Sequence, residues 1–249
     1  MRQGEVWKGI KTILRRRPVH LGLIDPDKQD IREAGELAAA FFRARSDGIM
    51  VGGSTAVDPG ITDATVLEIK RRCPLPTILF PAGAACLARH ADALFFMSLL
   101  NSRDRRFLIE EQRRAAPLVK KYRLEPIPMG YIVFEPGMRV GKVGRANLVP
   151  RTDLKRAVEY GLAAEFFGMA AVYLESGSGA PEPLPGRVIR AVKRSVSIPV
   201  IVGGGITSAE AVRRVVRAGA DIVVTGTVAE RNRGKEDLLA AIVAAVRRG

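Results

Sequence analysis

The sequence predicts a closed (β/α)8 barrel (TIM barrel) formed by one domain of residues 1–249, and three observations support this prediction. Eight short apolar runs occur along the chain, and most are separated by segments of helical periodicity. The runs are apolar throughout, as expected of parallel strands that are covered on both faces. The chain has 249 residues, about the size of one such barrel. A doubly wound open sheet is the second choice.

The order of the elements carries the prediction further. Strands are predicted at 20–24, 47–51, 77–80, 93–98 and 127–134, and three more apolar runs follow at 169–172, 199–202 and 221–224. Helices are predicted at 5–16, 31–44, 62–72, 104–122, 152–167, 186–195, 208–218 and 236–247. Only about ten residues separate the third and fourth strands, so a short helical stub fits there and a long crossover helix does not.

Two segments are less regular. Pro128 weakens the prediction of a strand for the first residues of the fifth run, because proline cannot donate a ladder hydrogen bond. Residues 135–150 combine glycines with basic residues and predict a lid or binding loop.

The charge of the chain points to anionic partners. Lys and Arg number 40 and Asp and Glu 26, a formal net charge of +14, which suits phosphorylated metabolites, nucleic acid or an anionic membrane surface. With 6% aromatic residues and dispersed arginines, we expect no nucleic-acid partner. The basic amphipathic helix at 5–16 favours packing on the core over lying on a membrane.

Other global features are consistent with a cytoplasmic protein. The sequence has no apolar run of bilayer length and no secretory signal, so we expect a cytoplasmic location with possible peripheral contact with an anionic membrane. Its two cysteines form no zinc or disulfide pattern. We also expect a homo-oligomer.

The last three strands end in small residues, and these ends predict a phosphate site. The ends are 173–179, 203–205 and 226–227, and they leave backbone N–H groups accessible to an anion. In such barrels the loops after the last strands frequently bind phosphate. Ordinary turns would explain one such end more readily than three.

Acidic residues at the same end of the barrel predict the chemistry. Asp25 ends the first strand and Ser54 follows the second, so Asp25 with Ser54 or Asp27 is a candidate Mg²⁺ anchor bridged to a phosphate. Capping of the helix near residue 31 is an almost equally good explanation for the two aspartates. Glu175 is a candidate proton acceptor for a substrate hydroxyl, or else pairs with a basic residue and sets the geometry of its loop.

Motifs along almost the whole chain carry a resemblance to a known family. They are His20–Asp27, Asp47–Ser54, Phe95–Ser102, Pro128–Tyr131, Val149–Arg151, Tyr173–Pro181, Ile201–Ile206 and Val223–Val228. Through them the sequence resembles the geranylgeranylglyceryl phosphate synthases, the prenyltransferases of archaeal ether-lipid synthesis.

The resemblance implies a modified barrel whose third helix is lost. It also implies that the 3-hydroxyl of sn-glycerol 1-phosphate attacks C1 of geranylgeranyl diphosphate and releases diphosphate, with Mg²⁺ at Asp25 and Ser54. We expect Glu175 to be the catalytic residue that orients or deprotonates this hydroxyl. Carried over by position, the residues that bind glycerol phosphate are Tyr173, Leu174, Glu175, Ser176, Gly177, Ser178, Gly179, Gly204, Gly205, Gly226 and Thr227. Thr227 stands where some relatives have asparagine.

A twenty-carbon tail needs an apolar groove, and its candidate lining residues are Phe95, Phe96, Tyr131 and Phe134. Core packing is the better explanation for any one of them. The nearest alternative function is a related synthase of another prenyl length, such as the bacterial heptaprenyl enzyme. A phosphosugar-binding barrel of histidine or tryptophan biosynthesis is a more distant one.

Overall fold

The computed structural model describes residues 4–52, 58–232 and 234–249 and shows a closed barrel of parallel strands. The strands are β1 (Val19–Ile24), β2 (Gly48–Gly52), β3 (Thr77–Phe80), β4 (Ala93–Leu99), β5 (Glu125–Val133), β6 (Ala171–Glu175), β7 (Val200–Gly203) and β8 (Ile222–Thr225). Each strand pairs with its neighbours in chain order, and β8 pairs with β1 to close the ring. The predicted fold class is confirmed.

Helices surround the barrel in the positions that the periodicity predicts. The long ones are α1 (Glu5–Leu14), α2 (Ile31–Arg43), α3 (Pro59–Arg72), α4 (Glu111–Tyr122), α6 (Leu154–Phe166), α7 (Gly186–Ser195), α8 (Ala209–Arg217) and α10 (Glu236–Arg247), and the short ones are α5 (Met138–Val143) and α9 (Thr227–Arg231). A π-helical turn, Arg106–Glu110, leads into α4. None of the described helices is long and apolar enough to cross a bilayer.

The connection between β3 and β4 lacks a crossover helix, as predicted. It contains a 3₁₀ turn, Ala84–Cys86, where the other strands of the barrel are mostly joined by longer helices. The amide of Ala84 donates to the carboxylate of Glu111 at 2.8 Å, which ties this connection to α4. Space that a third crossover helix would fill is therefore available beside β3 and β4.

The start of β5 differs from the prediction. The strand begins at Glu125 and runs through both Pro126 and Pro128. The carbonyl of Pro128 accepts a hydrogen bond from Ala170 on the side of β6, and the pairing of β5 with β6 starts only at Met129. The missing N–H of Pro128 therefore removes no ladder hydrogen bond, and the general objection to proline in a strand does not apply.

Residues 135–150 form an anchored segment that includes a helix, whereas the sequence predicted a loop. The side chain of Asn101 donates to the carbonyls of Val133 and Asn147 at 2.8 and 3.0 Å. Phe134 and Val149 also form a parallel bridge. α5 lies within this segment.

Two apolar layers make up the core. The interior of the barrel is filled by side chains such as Leu21, Met50 and Ile201, and a second layer lies between the strands and the surrounding helices. α1 closes the N-terminal end of the barrel, because Trp7 and Ile10 pack into the interior cluster. The apolar face of this basic helix is thus buried, as core packing predicts.

Candidate active site

Two cavities open at the C-terminal ends of the strands. The smaller one, called here the polar cavity, includes the ends of β6, β7 and β8 in its lining and contains Ser178, Gly179, Gly204, Gly205, Gly226 and Thr227. The three strand ends that were predicted to act together therefore lie in one cavity. Lys28 and Arg231 also line it and add positive charge.

A hydrogen bond connects two loops of the polar cavity. The hydroxyls of Ser178 and Thr227 lie 2.8 Å apart and join the loop after β6 to the loop after β8. Thr227 therefore supplies a side-chain hydroxyl to this cavity as well as its backbone. The arrangement presents hydroxyls and glycine backbone to a small anion.

Glycine is required at 204 because of its neighbours. Its φ is +84°, and a Cβ there would lie 2.5 Å from Oε1 of Glu175. The same oxygen accepts a hydrogen bond of 2.6 Å from the amide of Gly177. Any side chain at 204 would push against the carboxylate and its partner, and its backbone would be strained as well.

Glu175 is a buried carboxylate of the site, with 6% of its surface exposed. The hydroxyl of Tyr131 donates to its Oε2 at 3.2 Å. Burial raises the pKa of Glu175, although hydrogen bonds from Gly177, Tyr131 and Tyr173 to the charged form act in the opposite direction. A carboxyl with a raised pKa is a better proton acceptor than an ordinary surface glutamate.

Aromatic rings fill the barrel interior next to Glu175. The ring centroids of Phe80, Tyr131 and Tyr173 lie 5.1 to 5.7 Å apart. The hydroxyl of Tyr173 passes so close to Gly203 that a Cβ there would lie 2.0 Å from it. Tyr131 and Tyr173 are both almost completely buried, so these rings hold the carboxylate in an environment with little water.

The larger cavity is an apolar groove with a volume of about 230 Å³ that is partly open to solvent. Phe95, Met97 and Leu99 line it from the barrel interior, whereas Leu94, Phe96 and Ala115 line it from the helix side. The groove therefore runs from the barrel mouth across β4 into the space left by the short connection after β3. Among the lining residues that this connection supplies are Pro81, Ala82, Gly83, Ala84 and Leu87.

The two cavities meet at a small set of shared residues. Leu23, Lys28, Glu175 and Ser178 line both of them. Glu175 thus lies where a polar, glycine-lined cavity joins an apolar groove. A hydroxyl bound on one side and an electrophilic carbon bound on the other would meet at this carboxylate.

Asp25 lines the apolar groove close to Lys28 and is 5% exposed. Burial raises the pKa of Asp25, and the Asp27 amide and the Lys28 ammonium, whose nitrogen is 3.6 Å away, lower it. The helix-capping explanation is wrong, because Asp30 caps α2 by accepting from Glu33. Lys28 also pairs with Glu230 at 3.0 Å.

The described residues supply only part of a ligand set for a metal ion. Ser54 lies outside the described residues, and those described contain no group of three or more His, Cys, Asp or Glu side chains that would hold a metal. Mg²⁺ commonly takes one or two carboxylates and completes its shell with phosphates and water. Asp25 fits such a role, in which the substrate supplies further ligands.

Some predicted binding residues do not reach either cavity. Leu174 is fully buried between the barrel and the helices. Ser176 is fully buried too, and its amide donates to the carbonyl of Gly203. Phe134 packs in the outer core and does not line the groove, whereas Phe95, Phe96 and Tyr131 do.

Sequence reasoning missed the cations of the site and the role of Tyr131. Lys28 follows Asp25 by three residues in the turn after β1, and this proximity in sequence was a usable signal for it. Arg231 belongs to α9, a short helix that was not predicted. Tyr131 lies opposite Tyr173 in the register of β5 and β6, and this long-range pairing is what brings its hydroxyl to Glu175.

Comparisons with known proteins show which family the chain belongs to. The family model described as the PcrB family matches residues 11–246. The chain is 46% identical to a geranylgeranylglyceryl phosphate synthase of Picrophilus torridus, over 97% of this chain and 99% of the relative. It is 49% identical to the synthase of Methanothermobacter marburgensis, over 93% and 94%.

A solved structure is similarly close. The (S)-3-O-geranylgeranylglyceryl phosphate synthase of Thermoplasma acidophilum, determined in complex with its substrate sn-glycerol-1-phosphate, superposes with a TM-score of 0.94. It shares 43% sequence identity, and the match covers 96% of this chain and 97% of the other. The chain belongs to the PcrB family.

Proposed function

We propose that this chain is a prenyltransferase that joins sn-glycerol 1-phosphate to geranylgeranyl diphosphate. The observation that carries the proposal is the position of Glu175, at the junction of the polar cavity and the apolar groove. The names of the relatives and the substrate of the T. acidophilum enzyme support the same reaction.

The two cavities suit the two substrates. The polar cavity offers glycine backbone, the hydroxyls of Ser178 and Thr227, and the cation Arg231 to the phosphate of the acceptor. The apolar groove takes the prenyl chain, with the diphosphate of the donor near Lys28 and Arg139. Lys28 lies between both anions and is held by Asp25 and Glu230.

The reaction is a displacement at carbon. The 3-hydroxyl oxygen of glycerol phosphate forms a bond to C1 of the prenyl chain, while the bond from C1 to the diphosphate oxygen breaks and its electron pair leaves with the diphosphate. The hydroxyl proton passes to the carboxylate of Glu175, which must be ionised beforehand. Tyr131 and Gly177 orient this carboxylate through their hydrogen bonds.

The departing diphosphate gains negative charge, and the site has groups that stabilise it. Lys28 and Arg139 line the groove, and the guanidinium of Arg139 lies 3.9 Å from the carboxylate of Asp27. We propose Asp25 as the protein ligand of a Mg²⁺ ion, which when bound would neutralise part of the diphosphate charge.

The direct test is to incubate the protein with labelled sn-glycerol 1-phosphate and prenyl diphosphates of several lengths, with Mg²⁺ or with a chelator. We expect prenylated glycerol phosphate with the twenty-carbon donor, and a loss of product with the chelator. Absence of product with every donor would refute the proposed reaction. A clear preference for a thirty-five-carbon donor would favour the heptaprenyl alternative.

We also propose that the chain works as a homo-oligomer. Phe166 and Phe167 are adjacent and are 78% and 72% exposed. Exposed apolar pairs of this kind are often covered by another protein surface. Analytical ultracentrifugation should show an assembly larger than a monomer that Phe166→Ser with Phe167→Ser weakens; a monomer at all concentrations would exclude it.

A further inference from the structure

The groove reaches the surface at Val143, which lines it and is 42% exposed, and this place, called here its mouth, lies beside two segments of the chain. One is residues 103–114, with the π-helical turn and the start of α4, and the other is residues 138–145, with α5; together they are called here the basic rim. The amide of Arg103 donates to the carbonyl of Arg145 at 3.0 Å, and Ser102 forms a bridge with Ala146. Phe107, Val140 and Val143 of the rim line the groove.

The basic rim has an excess of positive charge. It contains three acidic residues, Asp104, Glu110 and Glu111, against eight basic ones, Arg103, Arg105, Arg106, Arg113, Arg114, Arg139, Lys142 and Arg145. Each acidic residue pairs with an arginine of the rim. The arginine side chains remain largely in solvent; those of Arg105 and Arg145, for example, are 79% and 70% exposed.

Aliphatic side chains are exposed among these charges. Ile109 on the π-helical turn is 54% exposed, and Val143 on α5 is 42% exposed. Val143 also lines the groove, so the apolar surface continues from the interior of the groove to its outer edge. Basic side chains around exposed aliphatic ones are the pattern of a surface that lies on an anionic bilayer.

We propose that the basic rim docks the protein on the surface of an anionic lipid bilayer, with the mouth of the groove facing the lipid. This inference rests on the proposed function in one respect: the proposed function supplies the prenyl chain that would pass through this mouth. Docked in this way, the groove would exchange an apolar chain with the bilayer while that chain stays out of water.

The opposite end of the barrel is the alternative surface, and it fits less well. α1 lies there, and although Lys8, Lys11 and Arg15 are exposed, the apolar face of this helix is buried in the barrel. Nucleic acid is also a weaker match for the rim. Its one aromatic residue, Phe107, is only partly exposed and faces the groove, and it offers no stacking surface.

Co-sedimentation of the full chain with vesicles tests the proposal. The vesicles are pure phosphatidylcholine or a phosphatidylcholine–phosphatidylglycerol mixture, at low and high salt. The rim variant carries Arg105→Gln, Lys142→Gln and Arg145→Gln, none of which lines a cavity. The matched control carries Lys8→Gln, Lys11→Gln and Arg15→Gln on α1 and removes the same charge from the opposite end.

We expect the wild type to bind the anionic vesicles and not the neutral ones, and to lose binding as salt rises. The rim variant should bind about a hundredfold more weakly at low salt, and the control should bind like the wild type. Ile109→Ser should weaken the binding that remains at moderate salt.

Three outcomes would overturn the proposal: no binding to anionic vesicles, equal losses in the rim and control variants, or binding of a short oligonucleotide by the rim without binding of vesicles. Turnover with a water-soluble ten-carbon prenyl diphosphate separates this proposal from the proposed function. The rim variant should keep that turnover, whereas failure of the wild type to turn over any donor would refute the reaction and leave the vesicle result unaffected.

Discussion

At the scale of single residues, the pairing of Glu175 with the Tyr131 hydroxyl and the Gly177 amide decides what this carboxylate can do. The two donors fix its orientation, and burial raises its pKa. Because the folded protein holds the proton more tightly than the unfolded chain does, this group adds stability at low pH that is lost as pH rises through its folded pKa. Ionisation of Glu175 therefore lowers the stability of the fold.

Glu175→Gln keeps the shape of the side chain and removes the proton acceptor. We expect kcat to fall by about 10² to 10⁴, the usual contribution of a general base. The dissociation constant for sn-glycerol 1-phosphate, measured by calorimetry, should change only a few-fold. In the wild type, kcat/KM should rise with pH through the raised pKa of Glu175.

The control is Glu182→Gln, at an exposed glutamate near Arg151 that lines neither cavity. It should leave both kinetic parameters unchanged. Equal losses of turnover and of glycerol phosphate affinity in Glu175→Gln would argue against a base and for a binding role.

His20 is a buried residue whose effect is on stability. Its ring nitrogens lie 2.8 Å from the hydroxyl of Ser46 and 2.9 Å from that of Thr225, which precedes the loop after β8. Burial lowers the pKa of His20 to about 4, although the charge of Asp47 acts in the opposite direction. Between about pH 6.5 and 4 the unfolded chain binds a proton here that the folded chain does not, so acid weakens the fold.

Denaturant unfolding of the wild type and of His20→Gln at several pH values measures this effect. The free energy of unfolding of the wild type should fall relative to that of the variant as pH decreases from 6.5 to 4, by roughly 3 kcal/mol in total. A difference between the two proteins that does not change with pH would mean that His20 is not buried in its neutral form.

At the scale of elements, the glycine ends of β6, β7 and β8 act as one unit because the barrel brings them together. Gly204→Ala tests this unit. A Cβ at 204 would meet Oε1 of Glu175 and the backbone of Gly177, and the positive φ adds roughly 1 to 2 kcal/mol of strain. We expect the affinity for sn-glycerol 1-phosphate to fall at least about tenfold in calorimetry.

Gly9→Ala is the matched control, because Gly9 lies within α1 and no atom lies within 4 Å of its added Cβ. It should leave the affinity unchanged and raise stability by up to about 1 kcal/mol, since alanine favours a helix. Normal affinity in Gly204→Ala would show that the loop after β7 does not contact the acceptor.

The strands and helices also show which features local sequence patterns predict and which they do not. Alternation along β6 predicts that Tyr173 and Glu175 share a face, and the same rule already implies that Leu174 turns away from it. Leu174 was included among the binding residues because the family resemblance was applied to the whole segment without this rule. The start of α3 was missed by three residues because the Asp58-Pro59 start signal was not used.

Long-range features were harder to predict. The hydrogen bond from Tyr131 to Glu175 depends on the register of β5 and β6. The lining of the groove depends on which side chains surround the space beside β3 and β4 where a crossover helix is missing. Local patterns contain neither piece of information. The short connection after β3 was nevertheless visible in the sequence, and it is the feature that creates room for the groove.

At the scale of the whole molecule, the barrel separates two binding tasks: the polar cavity uses the ends of β6 to β8, and the groove uses the side of β3 and β4. This separation predicts that a change in the groove leaves the acceptor untouched. Ala82→Leu adds a larger apolar side chain to the groove lining, at a half-buried position in the connection after β3.

We expect Ala82→Leu to raise the KM for geranylgeranyl diphosphate about tenfold or more and to favour shorter donors, because added side-chain volume shortens the space for the chain. The dissociation constant for sn-glycerol 1-phosphate should stay the same. Ala85→Leu is the control, since Ala85 lies on the same 3₁₀ turn but is exposed and does not line the groove. If Ala82→Leu impaired the acceptor as much as the donor, the two cavities would not be independent, and the junction at Glu175 would have to be understood as a single site.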